Sequence, residues 1–136
     1  MNMSTRMIGS LATAAVATAV LATAAIAGTD VQSALLAQWR VDAGQEFSAA
    51  RGRALFERRA NDWSCSSCHT ADPRATGRHV VTEKSIRPLA PASNPRRFTD
   101  RTKVEKWFRR NCNDVLNRDC TALEKGDVLT YLVSLK

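Results

Sequence analysis

The motif Cys65-Ser66-Ser67-Cys68-His69 constrains this chain more than any other stretch. Cys-x-x-Cys-His is the attachment signature of a c-type haem. Two thiols three positions apart lie on one turn of backbone, so both can form thioethers with one porphyrin. His69 follows directly and is carried beneath the iron as the proximal ligand. We therefore predict one covalent haem c, attached through Cys65 and Cys68, around which the chain folds.

Other uses of these cysteines are weighed against the haem. A thioredoxin-like redox pair needs a strand–helix–strand setting, and no such pattern is present. A zinc site that uses all four cysteines has enough ligands, but the second pair, Cys112 and Cys120, lacks the close spacing of a usual zinc knuckle. A structural Cys pair that merely precedes a His is the last alternative, and it leaves the rest of the pattern unexplained.

The first 27 residues are predicted to be a cleaved secretory signal peptide. Arg6 is the single charge before position 8, residues 8–27 carry none, and Ala25-Ile26-Ala27 is a small-x-small cleavage site. An uncleaved membrane anchor is the alternative, because about 20 apolar residues can span a bilayer. The predicted mature part, residues 28–136, is one domain, and we expect it in the periplasm.

Export also determines what we expect of the two cysteines outside the motif. In an oxidising compartment Cys112 and Cys120 should form a disulfide, with two free buried thiols as the alternative.

Basic residues outnumber acidic ones, 20 to 13. Such a charge can steer a protein to an acidic partner or an anionic membrane, whereas nucleic acid is an improbable partner for an exported protein.

Hydrophobic periodicity predicts an all-α fold with no strand. Thr29 and Asp30 are placed to cap the first helix, and the pairs Thr102–Glu105 and Thr121–Glu124 have the spacing of capping boxes. The predicted helices are residues 29–43, residues 48–59, a third from Thr99 or Thr102 to the loop at residues 113–119, and a last one from Thr121 to the end.

Residues 71–98 show no sustained periodicity and hold all four prolines. A long irregular segment is unusual in a compact domain unless it is functional, and wrapping the edge of a haem is such a function. Five arginines of this segment are candidates for contacts with the haem propionates: Arg74, Arg78, Arg87, Arg96 and Arg97.

The sixth position of the iron is the most informative question. Methionine occurs only at positions 1, 3 and 7, which excludes a Met/His pair in the mature chain. His79, a lysine and an open or water-filled position all remain alternatives. Asn111 is the candidate of most interest, because it shares one helix face with Val104, Phe108 and Cys112, and a buried amide must find a partner. Its amide could instead cap the end of the helix or bind buried backbone.

The order of these features resembles class I cytochromes c, in which the first and last helices cross. By that analogy Gly52 packs against Tyr131. Residues 87–91, 94–100 and 104–115 look more narrowly like the sphaeroides haem protein (SHP) family of oxygen-binding monohaem cytochromes c. The resemblance covers the chain from about Gln45 onward.

Membership of that family implies a mechanism. Asn111 would be the distal ligand of the oxidised iron, with Asn113 as second choice, and it would leave on reduction so that the ferrous iron binds O2 or NO. The electron donor would be a dihaem cytochrome c, linked to a membrane cytochrome b. No catalytic residue is expected. A plain electron carrier with a fixed sixth ligand, or a haem oxidoreductase acting on O2, NO or peroxide, are the alternative functions.

Overall fold

The computed structural model describes the backbone of residues 23–136 and the side chains of residues 30–136. Over that part the chain is mainly helical, as predicted, with five helices and one small antiparallel hairpin. The helices are α1 Thr23–Ala43, α2 Ala49–Glu57, α3 Cys65–His69, α4 Arg101–Leu116 and α5 Ala122–Ser134, and the strands are β1 Gly77–Arg78 and β2 Ser85–Ile86. None of the described helices is long and apolar enough to cross a bilayer.

Helix α1 begins earlier than predicted. The backbone is already helical from Thr23, so Thr29 and Asp30 lie inside the helix and do not cap it. Residues 23–27 are rich in alanine, the best helix former, which is why the helix extends through them. The predicted stop is confirmed, because Gly44 follows with φ +65° and its N–H donates to the carbonyl of Arg40 at 3.0 Å. The predicted leader at residues 1–27 falls mainly outside the described residues, and its cleavage stays a prediction.

Two apolar clusters form the core, and helix α5 contributes to both of them. One cluster joins Leu35 and Trp39 of α1 to Val104 of α4 and Leu129 of α5. The other joins Phe56 of α2 to residues of α5, namely Val128, Tyr131 and Leu132. Half-buried Phe98 and Phe108 pack against both clusters and therefore connect the two halves of the core.

The crossing of α2 and α5 depends on Gly52, but its partner differs from the one predicted. A Cβ atom at Gly52 would overlap the carbonyl of Asp127, and the next nearest atom is the nitrogen of Val128. Tyr131 lies one turn further along α5 and packs edge-on against Phe56, with ring centroids 5.7 Å apart. The glycine thus admits the backbone of the partner helix and not an aromatic ring.

The start of α4 also differs from the prediction. Asp100 is the N-cap, and its side chain accepts a hydrogen bond from the backbone N–H of Lys103 at 3.0 Å. The proposed capping box of Thr102 with Glu105 is wrong, because the Glu105 carboxylate is engaged elsewhere. It accepts from the indole N–H of Trp39 at 2.9 Å and from the ammonium of Lys125 at 3.0 Å.

The far end of α4 runs through most of the predicted loop. The helix continues to Leu116 and ends at Asn117, whose φ of +56° is left-handed. Residues 113–116 are helical because Cys112 stays inside the helix, and only a short turn reaches Cys120. The capping box that begins α5, Thr121 with Glu124, is confirmed.

Residues 77–86 contain the one exception to the prediction of no strands. Gly77 pairs with Ile86 and Arg78 with Ser85 in a two-residue ladder, too short to produce an alternating pattern in the sequence. The hairpin lies against α3, where a Cβ atom on Gly77 would overlap the carbonyl oxygen of Cys68. It therefore covers the backbone of the Cys-x-x-Cys-His motif.

Candidate functional site

The Cys-x-x-Cys-His motif forms the single turn of helix α3. Buried Ser64 caps it by accepting from the N–H of Ser67 at 3.1 Å, while the Ser67 hydroxyl accepts from the N–H of Ser64 at 3.0 Å. This reciprocal cap satisfies free backbone N–H groups of a helix too short to hold itself together. Cys65 and Cys68 lie one turn apart, and neither takes part in a disulfide.

The surroundings of Cys65 argue against a redox pair. Burial raises the pKa of its thiol to about 11, and the other cause that raises it is the nearby Cys68. Redox-active cysteines need a lowered pKa, because the thiolate is the attacking species. The zinc alternative is also removed, since Cys112 and Cys120 are joined to each other in a disulfide. That disulfide was predicted and is confirmed, and the alternative of two free thiols is wrong.

The imidazole of His69 is held in the neutral form that a metal ligand requires. Burial, and after it the positive charge of Arg97, together lower its pKa to about 4. Its Nδ1 atom is buried and has no hydrogen-bond partner among the described residues. Because Nδ1 has no accessible surface, a metal could be bound only through the other ring nitrogen, Nε2. These properties fit the proximal ligand of a haem.

Apolar side chains line one side of this imidazole, and we call them the apolar wall. The ring of buried Phe56 lies 6.3 Å from the ring of His69, and Cys65 packs against the same cluster. Half-buried Leu89 and Phe98 belong to the irregular segment and extend the wall. A flat, largely apolar macrocycle needs such a lining, which excludes water from most of its surface.

Asn111 lies on the half-buried side of α4, and its side-chain amide forms no hydrogen bond within the part of the chain that the structure describes. Trp107, one turn earlier on the same helix, is 48% exposed, which is unusual for so large an apolar side chain. Asn111 therefore presents an amide without a hydrogen-bond partner among the described residues, while the ring of Trp107 lies beneath the guanidinium of Arg110, 5.6 Å from the ring centroid. Asn113, the second choice, is exposed and fully engaged, since its amide donates to Arg109 at 2.8 Å and to Asp119 at 2.6 Å.

His79 is committed to the hairpin. The ring Nδ1 accepts from the backbone N–H groups of Val81 and Thr82, both at 3.2 Å, and the backbone N–H of His79 donates to the carbonyl of Lys84 at 2.9 Å. These bonds fix the ring in the loop between β1 and β2. The structure thus gives His79 a local structural role in place of a free imidazole.

The five candidate arginines have three kinds of surroundings. Arg74 and Arg78 are neutralised by neighbouring carboxylates, Asp72 and Glu83. Arg87 and Arg96 are exposed. Arg97 alone among the five is half-buried, a difference that no sequence pattern signals.

Two residues missed by sequence reasoning also shape the site. Gly77 admits the hairpin against the Cys68 carbonyl, as described above, and Phe98 has a φ of +60°. A bulky residue with positive φ is a genuine outlier, tolerated only where the surroundings over-determine it. Gly77 could have been found from the sequence, because it is the only glycine in residues 71–98. The positive φ of Phe98 has no counterpart in the sequence pattern.

The comparisons with known proteins identify the family of this chain. A family model described as a domain of unknown function (DUF1924) matches residues 42–132. The cytochrome c-type protein SHP of Cereibacter sphaeroides is 44% identical over 114 residues, 80% of this chain and 88% of that relative. The structure of oxidised SHP, an oxygen-binding cytochrome c, matches with a TM-score of 0.72 at 45% identity, over 76% of this chain and 96% of that one.

A second solved structure is more distant. The solution structure of cytochrome c'' from Methylophilus methylotrophus, solved to explain haem-ligand detachment, gives a TM-score of 0.71 at 34% identity over 79% of this chain and 95% of that one. Both relatives are c-type cytochromes, and the SHP match covers most of each chain. We conclude that this chain is a haem c protein and belongs to the SHP family of c-type cytochromes.

Proposed function

We propose that this protein is an exported monohaem cytochrome in which reduction opens a gas-binding position. Cys65 and Cys68 form the thioethers, His69 is the proximal ligand, and Asn111 is the distal ligand of the oxidised form. When bound, the haem supplies a one-electron couple and a position for a diatomic gas such as O2 or NO. The observation that carries the proposal is the Asn111 amide, half-buried on α4 and without a hydrogen-bond partner among the described residues.

The chemistry of an amide supports its release on reduction. An amide oxygen is a neutral, weak and hard donor, so it should prefer the ferric to the softer ferrous ion. The related SHP is an oxygen-binding cytochrome c, and the related cytochrome c'' was studied for detachment of a haem ligand. The competing donors are disfavoured, because His79 is held in its hairpin and no methionine follows position 7.

Family membership also supports a partner and a compartment. We propose a dihaem cytochrome c as the electron donor, linked to a membrane cytochrome b, and a periplasmic location after removal of residues 1–27. The disulfide between Cys112 and Cys120 supports export, because such bonds persist in oxidising compartments. Electron transfer between cytochromes asks for no acid–base catalyst, so we propose a carrier and gas-binding protein and not an enzyme.

The test is the absorption spectrum of the dithionite-reduced protein before and after addition of CO. We expect a high-spin ferrous spectrum that CO shifts immediately, since the weak amide has left the sixth position. A low-spin ferrous spectrum that CO does not change would show that a strong ligand stays bound. The protein would then be a plain electron carrier, and the gas-binding proposal would fail.

Two variants assign the distal ligand. Asn111→Ala should keep the covalent haem and change the ferric spectrum, because the amide is lost while the attachment motif is intact. Asn113→Ala is the matched control, two residues away on the same helix, and it should leave the ferric spectrum as in the wild type. If Asn111→Ala has no spectral effect, this residue is not a ligand.

A further inference from the structure

The guanidinium of Arg97 is a partly buried charge with no acidic partner in the described part of the chain. Its Nε donates to the carbonyl of Pro88 at 2.9 Å and its Nη2 to the carbonyl of Arg87 at 2.7 Å. Both acceptors are neutral. Other arginines of the fold, such as Arg51 and Arg118, meet a carboxylate directly, at 2.7 Å in each case.

A partly buried guanidinium that is bonded only to neutral carbonyls requires a negatively charged partner. Burial lowers the pKa of Arg97, and the nearby charge of Arg87 lowers it further, so the surroundings raise the free energy of the cation. A charge removed from water is stable only when it is paired and its hydrogen bonds are satisfied. Two backbone carbonyls leave some of the five guanidinium N–H donors free. The missing partner must therefore be an anion with planar acceptors, such as a carboxylate.

Hydrogen bonds on both sides of the Arg97 peptide hold its backbone in place, and so they fix the position from which its side chain extends. Its N–H donates to the carbonyl of Asn94 at 2.9 Å, and its own carbonyl accepts from the side chain of Gln32 in α1 at 3.3 Å. The next residue, Phe98, has the positive φ noted above and packs against both apolar clusters, including the one that holds Cys65. Strain retained beside a charged residue indicates that its placement matters.

Arg97 also lies near the proximal ligand, since the adjacent Phe98 packs against the cluster of Phe56, whose ring is 6.3 Å from that of His69. A haem c provides two propionate carboxylates, the anion that Arg97 lacks. We propose that Arg97 binds a haem propionate and, through that pair and its own field, raises the reduction potential of the iron. This inference rests on the proposed function, because it needs the haem attached at Cys65 and Cys68 with His69 beneath it.

The expected effect follows from electrostatics at low dielectric. A ferric haem carries one more positive charge than a ferrous haem, so a nearby cation destabilises the oxidised state. Without Arg97, an unpaired propionate would stabilise the ferric state instead. Both changes favour oxidation, and they add in the same direction.

The experiment compares midpoint potentials of the purified haem-loaded protein and three variants. Arg97→Gln should lower the potential so that the ratio of ferrous to ferric protein at a fixed solution potential falls at least tenfold, about 59 mV for one electron. Arg97→Lys keeps the charge but not the planar fork, and it should show a smaller shift. Arg96→Gln removes the same charge from the exposed neighbour and should change the potential little.

Three readouts separate the possible failures. Equal midpoint potentials in the wild type and Arg97→Gln would overturn the inference. A shift in Arg96→Gln as large as that in Arg97→Gln would also overturn it, because the effect would then be one of general surface charge. If Arg97→Gln does not retain haem, Arg97→Lys is the variant that tests the ion pair. Its midpoint potential and the propionate bending bands in its resonance Raman spectrum are compared with those of the wild type, and unchanged values reject the pair of Arg97 with a propionate. CO binding by the reduced wild type tests the proposed function independently of all three variants.

Discussion

At the scale of single residues, backbone strain directly adjoins the haem motif at Thr70. Thr70, directly after His69, has φ +63° and ψ 164°, a combination that is essentially restricted to glycine. Its hydroxyl donates to the carbonyl of Asp72, which holds the turn that leaves α3. The strained conformation fixes the direction in which the chain leaves His69. We take this as the local feature that orients the imidazole.

A pair of substitutions tests this strain. Thr70→Ala and Thr70→Gly both remove the hydroxyl, but only alanine keeps the Cβ atom that this backbone conformation disfavours. Strain of about 1–3 kcal/mol exceeds the entropy penalty of about 0.5–1 kcal/mol for glycine, so Thr70→Gly should be more stable by roughly 1 kcal/mol. Urea unfolding of the two holoproteins measures the difference. The usual order, with alanine the more stable, would show that Thr70 is not strained.

Among the helices, α4 is the element that presents Asn111, and it is held at both ends. Near its start, Glu105 joins it to Trp39 of α1 and to Lys125 of α5. Near its end, the disulfide joins it to the residue before the cap of α5. With both ends fixed, we expect Asn111 to leave the iron by rotation of its side chain and not by movement of the helix.

The disulfide should contribute to stability as well as to placement. Its loop is short, because the two cysteines are only eight positions apart in the sequence. The chain-entropy model gives about 2–3 kcal/mol for such a loop, so the double variant with Cys112→Ser and Cys120→Ser should lose about that much. Denaturant unfolding at neutral pH measures the loss, with covalent haem content as a check on assembly. An unchanged unfolding midpoint would show that the contacts of Glu105 suffice to hold α4.

The ion pair of Arg118 with Glu124 at the start of α5 predicts a pH dependence. Hydrogen bonds from Arg118, aided by the backbone N–H of Thr121, lower the pKa of Glu124 to about 2. A lowered carboxyl pKa contributes stability above the unfolded value near 4.5, and that contribution is lost as the pH falls through about 2. Arg118→Gln should cost about 0.5–1 kcal/mol at pH 7, because the pair is partly exposed.

The measurement for that variant is urea unfolding at pH 7 and at pH 2. The difference between wild type and Arg118→Gln should be present at the higher pH and nearly absent at the lower one. Arg53→Gln is a suitable control, since its pair with Glu57 is more exposed on both sides. An Arg118→Gln effect that persists undiminished at pH 2 would mean that lost packing, and not charge, is responsible.

On the scale of the whole molecule, the contact of α2 with α5 sets the frame into which the haem motif is placed. Gly52 meets the backbone of Asp127, while the Asp127 carboxylate accepts from the N–H of Ser48 at 2.6 Å and from Arg51 at 2.7 Å. One buried carboxylate thus ties the start of α2 to the middle of α5. The same contact positions Phe56, which faces His69.

Gly52→Ala should be one of the most damaging small changes in this fold. The added methyl overlaps a backbone carbonyl, which cannot move away as a side chain can, so we expect a loss near the upper end of about 1–3 kcal/mol. Gly126→Ala is the control, because its methyl would meet the half-buried ring of Phe47. Thermal unfolding of both holoproteins gives the comparison. Equal losses would contradict a special role for the helix crossing.

How much the sequence determines varies with the range of the contact. The haem motif, the cap of α5 and the Cys112–Cys120 pair involve residues close in the chain, so their spacing carries the chemistry. The cap of α4 was misplaced, because the partners of Glu105 are Trp39 and Lys125, which only the tertiary structure brings to it. The short hairpin was missed because strands of two residues are too short to produce an alternating pattern of apolar and polar residues.

The sequence by itself determined the cofactor, the helical class and the family, since each rests on local spacing or on stretches of matching residues. The attachment residues stay a prediction from the same local spacing. Tertiary structure alone decided which of five arginines is desolvated, which backbone lies against Gly52, and that His79 is held by its own hairpin. Burial and pairing are sums over contacts from distant parts of the chain. No local pattern encodes those sums, and for that reason Arg97 became distinct only in the folded molecule.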